Sequence, residues 1–161
     1  MKTTQIVIET PRNSPVKYSF DPGAGAYILK KRLPLGMVFP FDFGFIPQSK
    51  GEDGDPLDAL VISEFETFPG CRIDCRLIGV LEAEQTEAGK TIRNDRYFFI
   101  PDNSMLYQHI KTTGDLPSQL TKELLLFFVS YNKAAGKEFR PLQIVSADKA
   151  QKLLKRQRKK I

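Results

Sequence analysis

Asp53-Gly54-Asp55-Pro56-Leu57-Asp58 brings three aspartates together directly before the apolar run Ala59-Leu60-Val61-Ile62. Gly54 permits a tight turn and Pro56 stiffens the backbone, so the short acidic side chains can point at one place. Carboxylates held that close repel one another unless a cation lies between them, and Mg²⁺ prefers such oxygen ligands. The apolar run anchors the acids to a buried strand. This combination favours a divalent-metal site over an acidic surface turn.

Two other motifs fit the chain poorly. An EF-hand loop starting at Asp53 would require glycine where Asp58 stands, and strands instead of helices flank the segment. The stretch 89–91, Gly-Lys-Thr, matches the end of a P-loop, but Glu84 occupies the position of the required upstream glycine. Neither a calcium loop nor a P-loop is therefore expected.

The bulk composition is that of one globular domain spanning 1–161, with 41% hydrophobic and 27% charged residues. No apolar run approaches the length of a membrane-spanning helix, and the first residues do not form a signal peptide, so we expect an unexported, cytoplasmic protein without membrane contact. Cys71, Cys75 and the single histidine, His109, do not make a persuasive zinc set. Reduced, packed thiols fit the expected compartment.

The positive charge is concentrated at the C-terminus. The chain has a formal net charge of +5, and residues 148–161 hold seven Lys/Arg against one Asp. The rest of the chain is therefore nearly neutral, which argues against a surface built to bind nucleic acid. We interpret 148–161 as the solvated, basic end of a helix. One functional hypothesis, less favoured than those given below, is a single-strand nucleic-acid binder that uses this tail.

Alternating and β-rich segments predict strands along the first two-thirds of the chain. The predicted strands are 4–9, 16–20, 26–31, 57–62, 72–84 and 91–100. Residues 36–47 are rich in aromatics but interrupted by Pro40 and Gly44, which indicates an irregular extended segment. The last two strands are joined by a turn near Gly89.

The final third predicts a helix, a strand at 139–145 and a second helix. Asp115 can cap the first helix, and Gly136 can stop it. Ser146 can cap the second. Apolar residues recur at helical spacing in both, namely Leu120, Leu124, Phe127, Phe128 and Tyr131 in the first and Ala150, Leu153 and Leu154 in the second. The predicted fold class is α+β, with antiparallel strands closed into a small β-barrel and two flanking C-terminal helices.

The three-aspartate segment resembles the signature of the soluble family I inorganic pyrophosphatases. Further segments follow in that family's order over roughly residues 5 to 137, namely Glu9-Thr10-Pro11, Pro15-Val16-Lys17-Tyr18, Phe39-Pro40, Phe43-Gly44-Phe45-Ile46, Gly79-Val80-Leu81, His109-Ile110-Lys111, Asp115-Leu116-Pro117 and Phe127-Phe128. The resemblance implies an OB-like barrel with a five-stranded core that carries the active site. It also implies hydrolysis of pyrophosphate with Mg²⁺, or with Mn²⁺ as an alternative, by a homo-oligomer.

The resemblance also implies a role for individual acids. Asp53 and Asp58 match metal ligands, with Asp58 bridging two ions. Asp55 matches a metal-site residue and the general base that takes a proton from the attacking water. Glu9 matches an acid in the metal and water network.

Cations and a hydroxyl match the substrate side of the family's site. Lys17, Lys31 and Arg96 stand where the family binds the substrate phosphates, and Arg32 replaces Lys31 if the alignment slips by one position. Tyr131 matches a hydroxyl that binds phosphate. Dense negative charge on a diphosphate can be attacked only when cations offset it, which is the physical reason for such a set.

Six positions depart from the family pattern. Ser19 replaces an acid, Phe39 and Phe43 replace tyrosines, and Asn132 replaces a lysine. In the hairpin at 85–95, Gln85 and Asn94 stand where metal-binding aspartates are expected. These amides can ligate Mg²⁺ without adding charge.

Metal affinity should therefore fall unless another acid reaches the site. Asp95 could do so if the strand is irregular there, and the remaining candidates are Glu82, Glu84, Glu87 and Asp42. The departures leave two principal functions open. One is an active pyrophosphatase, and the other is a module that binds pyrophosphate or a phosphorylated metabolite without turnover.

Overall fold

The strands and helices follow the predicted order in the computed structural model, which describes residues 2–158. The strands are β1 Thr3–Thr10, β2 Val16–Asp21, β3 Ala26–Arg32, β4 Asp42–Phe45, β5 Asp58–Val61, β6 Arg72–Glu87, β7 Lys90–Arg93, β8 Arg96–Pro101 and β9 Glu138–Ser146. The helices are α1 Ser118–Ala134 and α2 Ala147–Arg158, and a 3₁₀ turn spans Thr113–Asp115. The segment 36–47 is irregular apart from β4, as predicted.

A closed ring of strands forms the centre of the fold. It runs β1, β4, β5, β8, β6 and back to β1, so the predicted five-stranded core is present. One pairing differs from the antiparallel expectation, because β5 and β8 are parallel, with Asp58 opposite Arg96. The chain leaves β5, runs through the β6–β7 hairpin and returns in the same direction, and such a long connection is what a parallel pair requires.

A close approach of two backbones fixes one seam of this ring. Gly44 on β4 pairs with Ile8 on β1, and a Cβ at Gly44 would lie 2.0 Å from the carbonyl oxygen of Val7. Only glycine permits strands to pack that closely. Phe43 and Phe45 on either side are thereby held at fixed positions.

The β2–β3 hairpin forms a separate two-stranded sheet attached to β1. The Thr10 hydroxyl donates to the Tyr18 carbonyl at 3.0 Å and accepts from the Tyr18 amide at 3.1 Å. A register shift between Lys17 and Tyr18 leaves Lys30 unpaired in the ladder. A bulge of this kind redirects side chains, and here it affects Lys30 and Lys31.

Alternate residues of the ring strands divide the core into two buried clusters. One joins Leu60 and Phe98 to Leu124 and Phe128 of α1, and the other joins Val61 and similar residues to Ala150 and Leu154 of α2. The predicted apolar positions of both helices are therefore those that pack. Gly136 ends α1 with a positive φ of 76°, as predicted.

Two details of the helices differ from the expectation. Asp115 does not cap α1, because it lies in the 3₁₀ turn, where its carboxylate accepts from the amides of Lys111 and Thr112 at 2.9 and 3.2 Å. Pro117 stands at the N-cap position of α1 instead. Within residues 2–158, no helix has the length and apolar character needed to cross a bilayer.

Candidate active site

A cavity of about 370 Å³ gathers almost all of the residues assigned to the site from the sequence. Its walls come from β1, the β2–β3 hairpin, β4, the 53–58 segment, the β6–β7 hairpin, β8 and α1. The assigned residues that line it are Glu9, Lys17, Lys31, Asp53, Asp55, Asp58, Gln85, Asn94, Arg96 and Tyr131. Asp95 is the assigned residue that does not line it.

The 53–58 segment is a turn anchored to the core. Leu57 is buried, and its amide donates to the Ser49 hydroxyl at 2.9 Å. The Asp53 carboxylate accepts from the Asp55 amide at 3.0 Å. Burial raises the pKa of Asp53, and the neighbouring carboxylates of Asp58 and Asp55 act in the same direction. The turn therefore collects negative charge that a bound cation would stabilise.

Glu9 contributes a further acid from β1. Its carboxylate accepts from the Phe20 amide at 2.9 Å and from the Ser19 hydroxyl at 3.2 Å. Burial raises the pKa of Glu9, while the hydrogen bond from Phe20 and the charge of Lys17 oppose that shift. Ser19, for which the resemblance led us to expect an acid, thus acts here as a donor to Glu9.

Two lysines of the β2–β3 hairpin face the ring of Tyr131. The ammonium of Lys31 lies 4.4 Å from the ring centroid and that of Lys17 lies 6.0 Å away. Burial lowers the pKa of both lysines, that of Lys31 to about 8 with a further contribution from the charge of Lys17. The Tyr131 hydroxyl is buried and has no hydrogen-bond partner among the described residues. This wall therefore presents the positive charges of Lys17 and Lys31 and the unpartnered hydroxyl of Tyr131, a combination that suits an anion.

Arg96 joins the acidic turn to the hairpin. Its Nη1 donates to Asp58 Oδ2 at 2.7 Å and to Asn94 Oδ1 at 2.6 Å. The Asn94 amide nitrogen in turn donates to Gln85 Oε1 at 2.9 Å. The guanidinium is buried and lies 5.1 to 5.8 Å from the ring centroids of three phenylalanines, Phe43, Phe128 and Phe139. Hydrogen bonds to Asp58 and Asn94 and packing against the aromatic rings therefore fix the position of the guanidinium.

No further carboxylate from the hairpin reaches the cavity. Between β7 and β8 the Asn94 amide bonds to the Ala83 carbonyl, and this break in the strand directs Asn94, not Asp95, to the site. Asp95 accepts from the Ala83 amide at 3.0 Å and pairs with Arg93 at 3.1 Å. The irregular strand that could have delivered Asp95 instead turns it away.

The other acids considered from the sequence also have structural partners. Glu82 pairs with Arg93 at 2.9 Å, and Glu84 pairs with Arg140. Asp42 is buried and accepts from the Thr67 hydroxyl at 2.6 Å, which makes it a structural residue. Glu87, Glu84, Glu82 and Asp42 are absent from the cavity lining.

The remaining departures have simple packing roles. Phe39 is a core residue at 1% exposure, and Phe43 contributes its ring to the cavity wall. Asn132 is buried and donates to the Phe128 carbonyl at 2.8 Å within α1. Phe43 and Asn132 both line the cavity without adding a charged group, whereas Phe39 lies in the core.

Sequence reasoning missed two lysines that line the cavity. Lys30 was not predicted because strict alternation on β3 would direct only one of Lys30 and Lys31 to the cavity. The bulge in the β2–β3 pairing allows both side chains to line it. Lys137 lies just after α1, where no periodic signal applies. Arg32, considered as a substitute for Lys31, does not line this cavity.

Comparisons with known proteins agree with this geometry. A family model described as "Inorganic pyrophosphatase" matches residues 6–161. The chain belongs to the inorganic pyrophosphatase family. The inorganic pyrophosphatase of Thermus thermophilus is 35% identical over 137 residues, which cover 85% of this chain and 76% of that protein. That of a Nostoc species is 37% identical over 132 residues, which cover 82% of this chain and 76% of the relative.

Solved inorganic pyrophosphatases share the fold over nearly the whole chain. The crystal structure of the Thermus thermophilus protein has a TM-score of 0.90 at 30% identity and covers 98% of this chain and 90% of its own. The Helicobacter pylori structure has a TM-score of 0.88 at 27% identity, with coverage of 99% and 93%. The predicted fold class and family are confirmed.

The resemblance drawn from the sequence implies a divalent cation, and the possible donors in the cavity are carboxylates and side-chain amides. Among residues 2–158, no three His, Cys, Asp or Glu side chains are arranged closely enough to enclose an ion. The turn carrying Asp53, Asp55 and Asp58 still supplies carboxylate oxygens to one cavity, as Mg²⁺ prefers. The donor chemistry of the turn therefore suits a divalent cation, although its three carboxylates do not converge on one point here, whereas the hairpin offers only the neutral oxygens of Gln85 and Asn94.

Proposed function

We propose that this chain hydrolyses inorganic pyrophosphate to two phosphates in a reaction that requires Mg²⁺, or Mn²⁺ in its place. The observation that supports this most directly is that one wall of the cavity carries acidic side chains and another carries cationic ones. Carboxylates of the 53–58 turn line the same cavity as Lys17, Lys31 and the unpartnered hydroxyl of Tyr131. A diphosphate with a bound cation has the charge pattern that complements both walls.

The residues of this chain have distinct roles in the proposal. Asp53, Asp55 and Asp58 would hold the cation, which when bound neutralises phosphoryl charge and acidifies the attacking water. Asp55 is exposed to the solvent and takes the proton of that water. Lys17, Lys31 and Tyr131 bind and orient the phosphates, with charge-assisted hydrogen bonds from the lysines.

Arg96 has a double role in this arrangement. One of its nitrogens is engaged by Asp58 and Asn94, but Nε is buried without a partner among the described residues. We propose that Arg96 stabilises negative charge on the substrate electrostatically while it holds Asp58 in place. Glu9 orients water near the acidic turn.

The test is the release of phosphate from pyrophosphate with and without Mg²⁺. An Asp55→Asn variant should lose about a hundredfold or more of the rate, because general-base catalysis typically contributes that much. Asp74→Asn is the matched control, since Asp74 is an exposed aspartate on β6 outside the cavity lining. Equal rates in the wild type and Asp55→Asn would remove Asp55 from the base role.

A second function is favoured by the network that Arg96 makes. Asp58 is already paired with a fixed guanidinium, and Gln85 and Asn94 bond to each other, so this site has less free acid than the family pattern implies. Such a site could bind pyrophosphate or a phosphorylated metabolite without turnover. Calorimetry that detects pyrophosphate binding, together with no phosphate release under the same conditions, would support this alternative over hydrolysis.

A further inference from the structure

The metal side of the cavity is asymmetric. The 53–58 turn supplies three carboxylates, but the facing hairpin supplies no anionic oxygen, because Asp95 is turned towards Ala83 and Arg93. Positive charge stands at that side instead, on Arg96.

Arg96 already neutralises one ligand. Its Nη1 lies 2.7 Å from Asp58 Oδ2, and the guanidinium side chain is only 5% exposed. A charge-assisted bond between a buried guanidinium and a carboxylate is strong and not readily exchanged for water. One oxygen of Asp58 is thus engaged, and any cation that shared Asp58 would stand beside a fixed positive charge.

The two amides of the hairpin are also engaged with each other and with Arg96. Asn94 Oδ1 accepts from Arg96 at 2.6 Å, and Gln85 Oε1 accepts from Asn94 at 2.9 Å. Asn94 Oδ1 therefore holds Arg96 in position, and Gln85 Oε1 holds Asn94 in turn. Replacing two carboxylates by this amide pair removes negative charge where a second ion would need it.

We propose that the hairpin side of this cavity does not fit a divalent cation beside Asp58, and that the Arg96 guanidinium supplies the positive charge there instead. The inference rests on the proposed function for the presence of a cation. It makes Arg96, held by Asn94 and Gln85, a positioning and charge-compensating residue of the metal site.

The experiment counts bound Mn²⁺ without substrate, from the spin-resonance signal of free Mn²⁺ during titration. The wild type should bind a single Mn²⁺ per chain. The isosteric double variant Gln85→Glu with Asn94→Asp should bind a second Mn²⁺, because two anionic oxygens are added beside Asp58. Its affinity for this second ion should be at least about tenfold higher than any weak second binding that the wild type shows. The double variant Gln108→Glu with Gln119→Glu adds the same charge at exposed positions outside the cavity and should leave the count unchanged.

Arg96→Gln provides an independent test. Removing the fixed charge should also admit a second Mn²⁺, and a melting curve shows whether this buried substitution folds. If it does not fold, the hairpin variants decide the question. A wild type that binds two or more ions with similar affinity, or none, overturns the proposal, as does an unchanged count in a folded Gln85→Glu, Asn94→Asp variant.

The outcome is separable from that of the proposed function. A single bound Mn²⁺ with no phosphate release would uphold the metal count and reject hydrolysis. Phosphate release with two bound ions would support hydrolysis and reject the proposed metal count.

Discussion

Lys31 carries its positive charge in a setting that disfavours it. It lies against the Tyr131 ring with Lys17 nearby, and burial together with the charge of Lys17 lowers its pKa from 10.5 to about 8. In the absence of ligand, the folded state therefore binds fewer protons than the unfolded state between those two values. The free energy of unfolding should rise with pH across this window. A bound anion reverses the preference, because it stabilises the protonated lysine.

The binding of a non-hydrolysable pyrophosphate analogue should consequently weaken as the pH rises through about 8. Lys31 must be protonated to attract the anion, so its contribution is complete below this pKa and is lost above it. Calorimetry at pH 7 and pH 9 should show a loss of about three- to tenfold in affinity. Lys31→Arg keeps its charge throughout and should show a smaller loss. The same pH dependence in both proteins would exclude Lys31 as the cause.

At the scale of single residues, the sequence predicted best where motif and spacing agreed. Asp53, Asp55 and Asp58 stand in a fixed local turn, and all three line the cavity. The choice between Asn94 and Asp95 depended on a strand break that pairing with Ala83 creates, and long-range pairing is not visible in local spacing. The roles of the lining residues remain predictions.

Helix α2 shows how a basic segment can be mostly structural at the scale of an element. Leu154 and Ala150 are fully buried in the cluster that contains Val80 and Tyr97, while most of the basic side chains are exposed, namely Lys149, Lys152, Lys155 and Arg156. Leu154→Ala should lower the free energy of unfolding by about 2 to 5 kcal/mol, because it leaves a cavity. Leu126→Ala is the matched control in α1, where Leu126 is 63% exposed, and should change stability by about 0.5 kcal/mol or less. Urea unfolding measures both, and equal effects would contradict the packing of α2.

The seam between β1 and β4 gives a second prediction for an element. Gly44→Ala would place a methyl group 2.0 Å from the Val7 carbonyl oxygen and 2.9 Å from Ile8 Cα, both backbone atoms that cannot swing aside. We expect a loss of about 3 kcal/mol in unfolding free energy. Gly114→Ala meets its nearest atom only at 3.8 Å and serves as the control. A Gly44→Ala protein as stable as the control would show that the ring tolerates separation there.

The existence and order of the elements could be predicted because periodicity is local. Alternation gave the strands, and helical spacing gave the buried faces of α1 and α2. Three features could not be predicted this way: the parallel β5–β8 pair, the break between β7 and β8, and the cap of α1. Each depends on how distant segments meet. The prediction that 148–161 forms one basic helix end concerns residues 159–161 as well, and these lie outside the described residues.

At the scale of the whole molecule, the cavity is a meeting point of elements from the entire chain. Glu9, Lys17, Asp53, Gln85 and Tyr131 belong to five different segments. A ligand that contacts all of them binds the folded state alone, so it should stabilise the fold as a unit. The predicted homo-oligomer and single-domain organisation remain predictions.

Removal of the metal should therefore lower the melting temperature. Mg²⁺ at about a hundred times its dissociation constant adds about 2.7 kcal/mol to the unfolding free energy relative to protein in chelator. Asp53→Asn should show a smaller gain with Mg²⁺ but no loss in chelator, because one of the mutually repelling carboxylates is gone. Calorimetric melting of both proteins in each condition is the measurement. Identical gains would place the cation elsewhere.

The parallel alignment of β5 and β8 sets Asp58 and Arg96 side by side at the first positions of two neighbouring strands. Their separation is therefore governed by the spacing of the sheet, about 4.8 Å between strand axes, and no loop has to close to bring them together. A change in the charge of either side chain therefore alters the electrostatic energy of the other through their 2.7 Å ion pair, without a movement of the backbone. The two charges therefore lie next to each other whenever the sheet is formed, independently of how any surface loop is arranged.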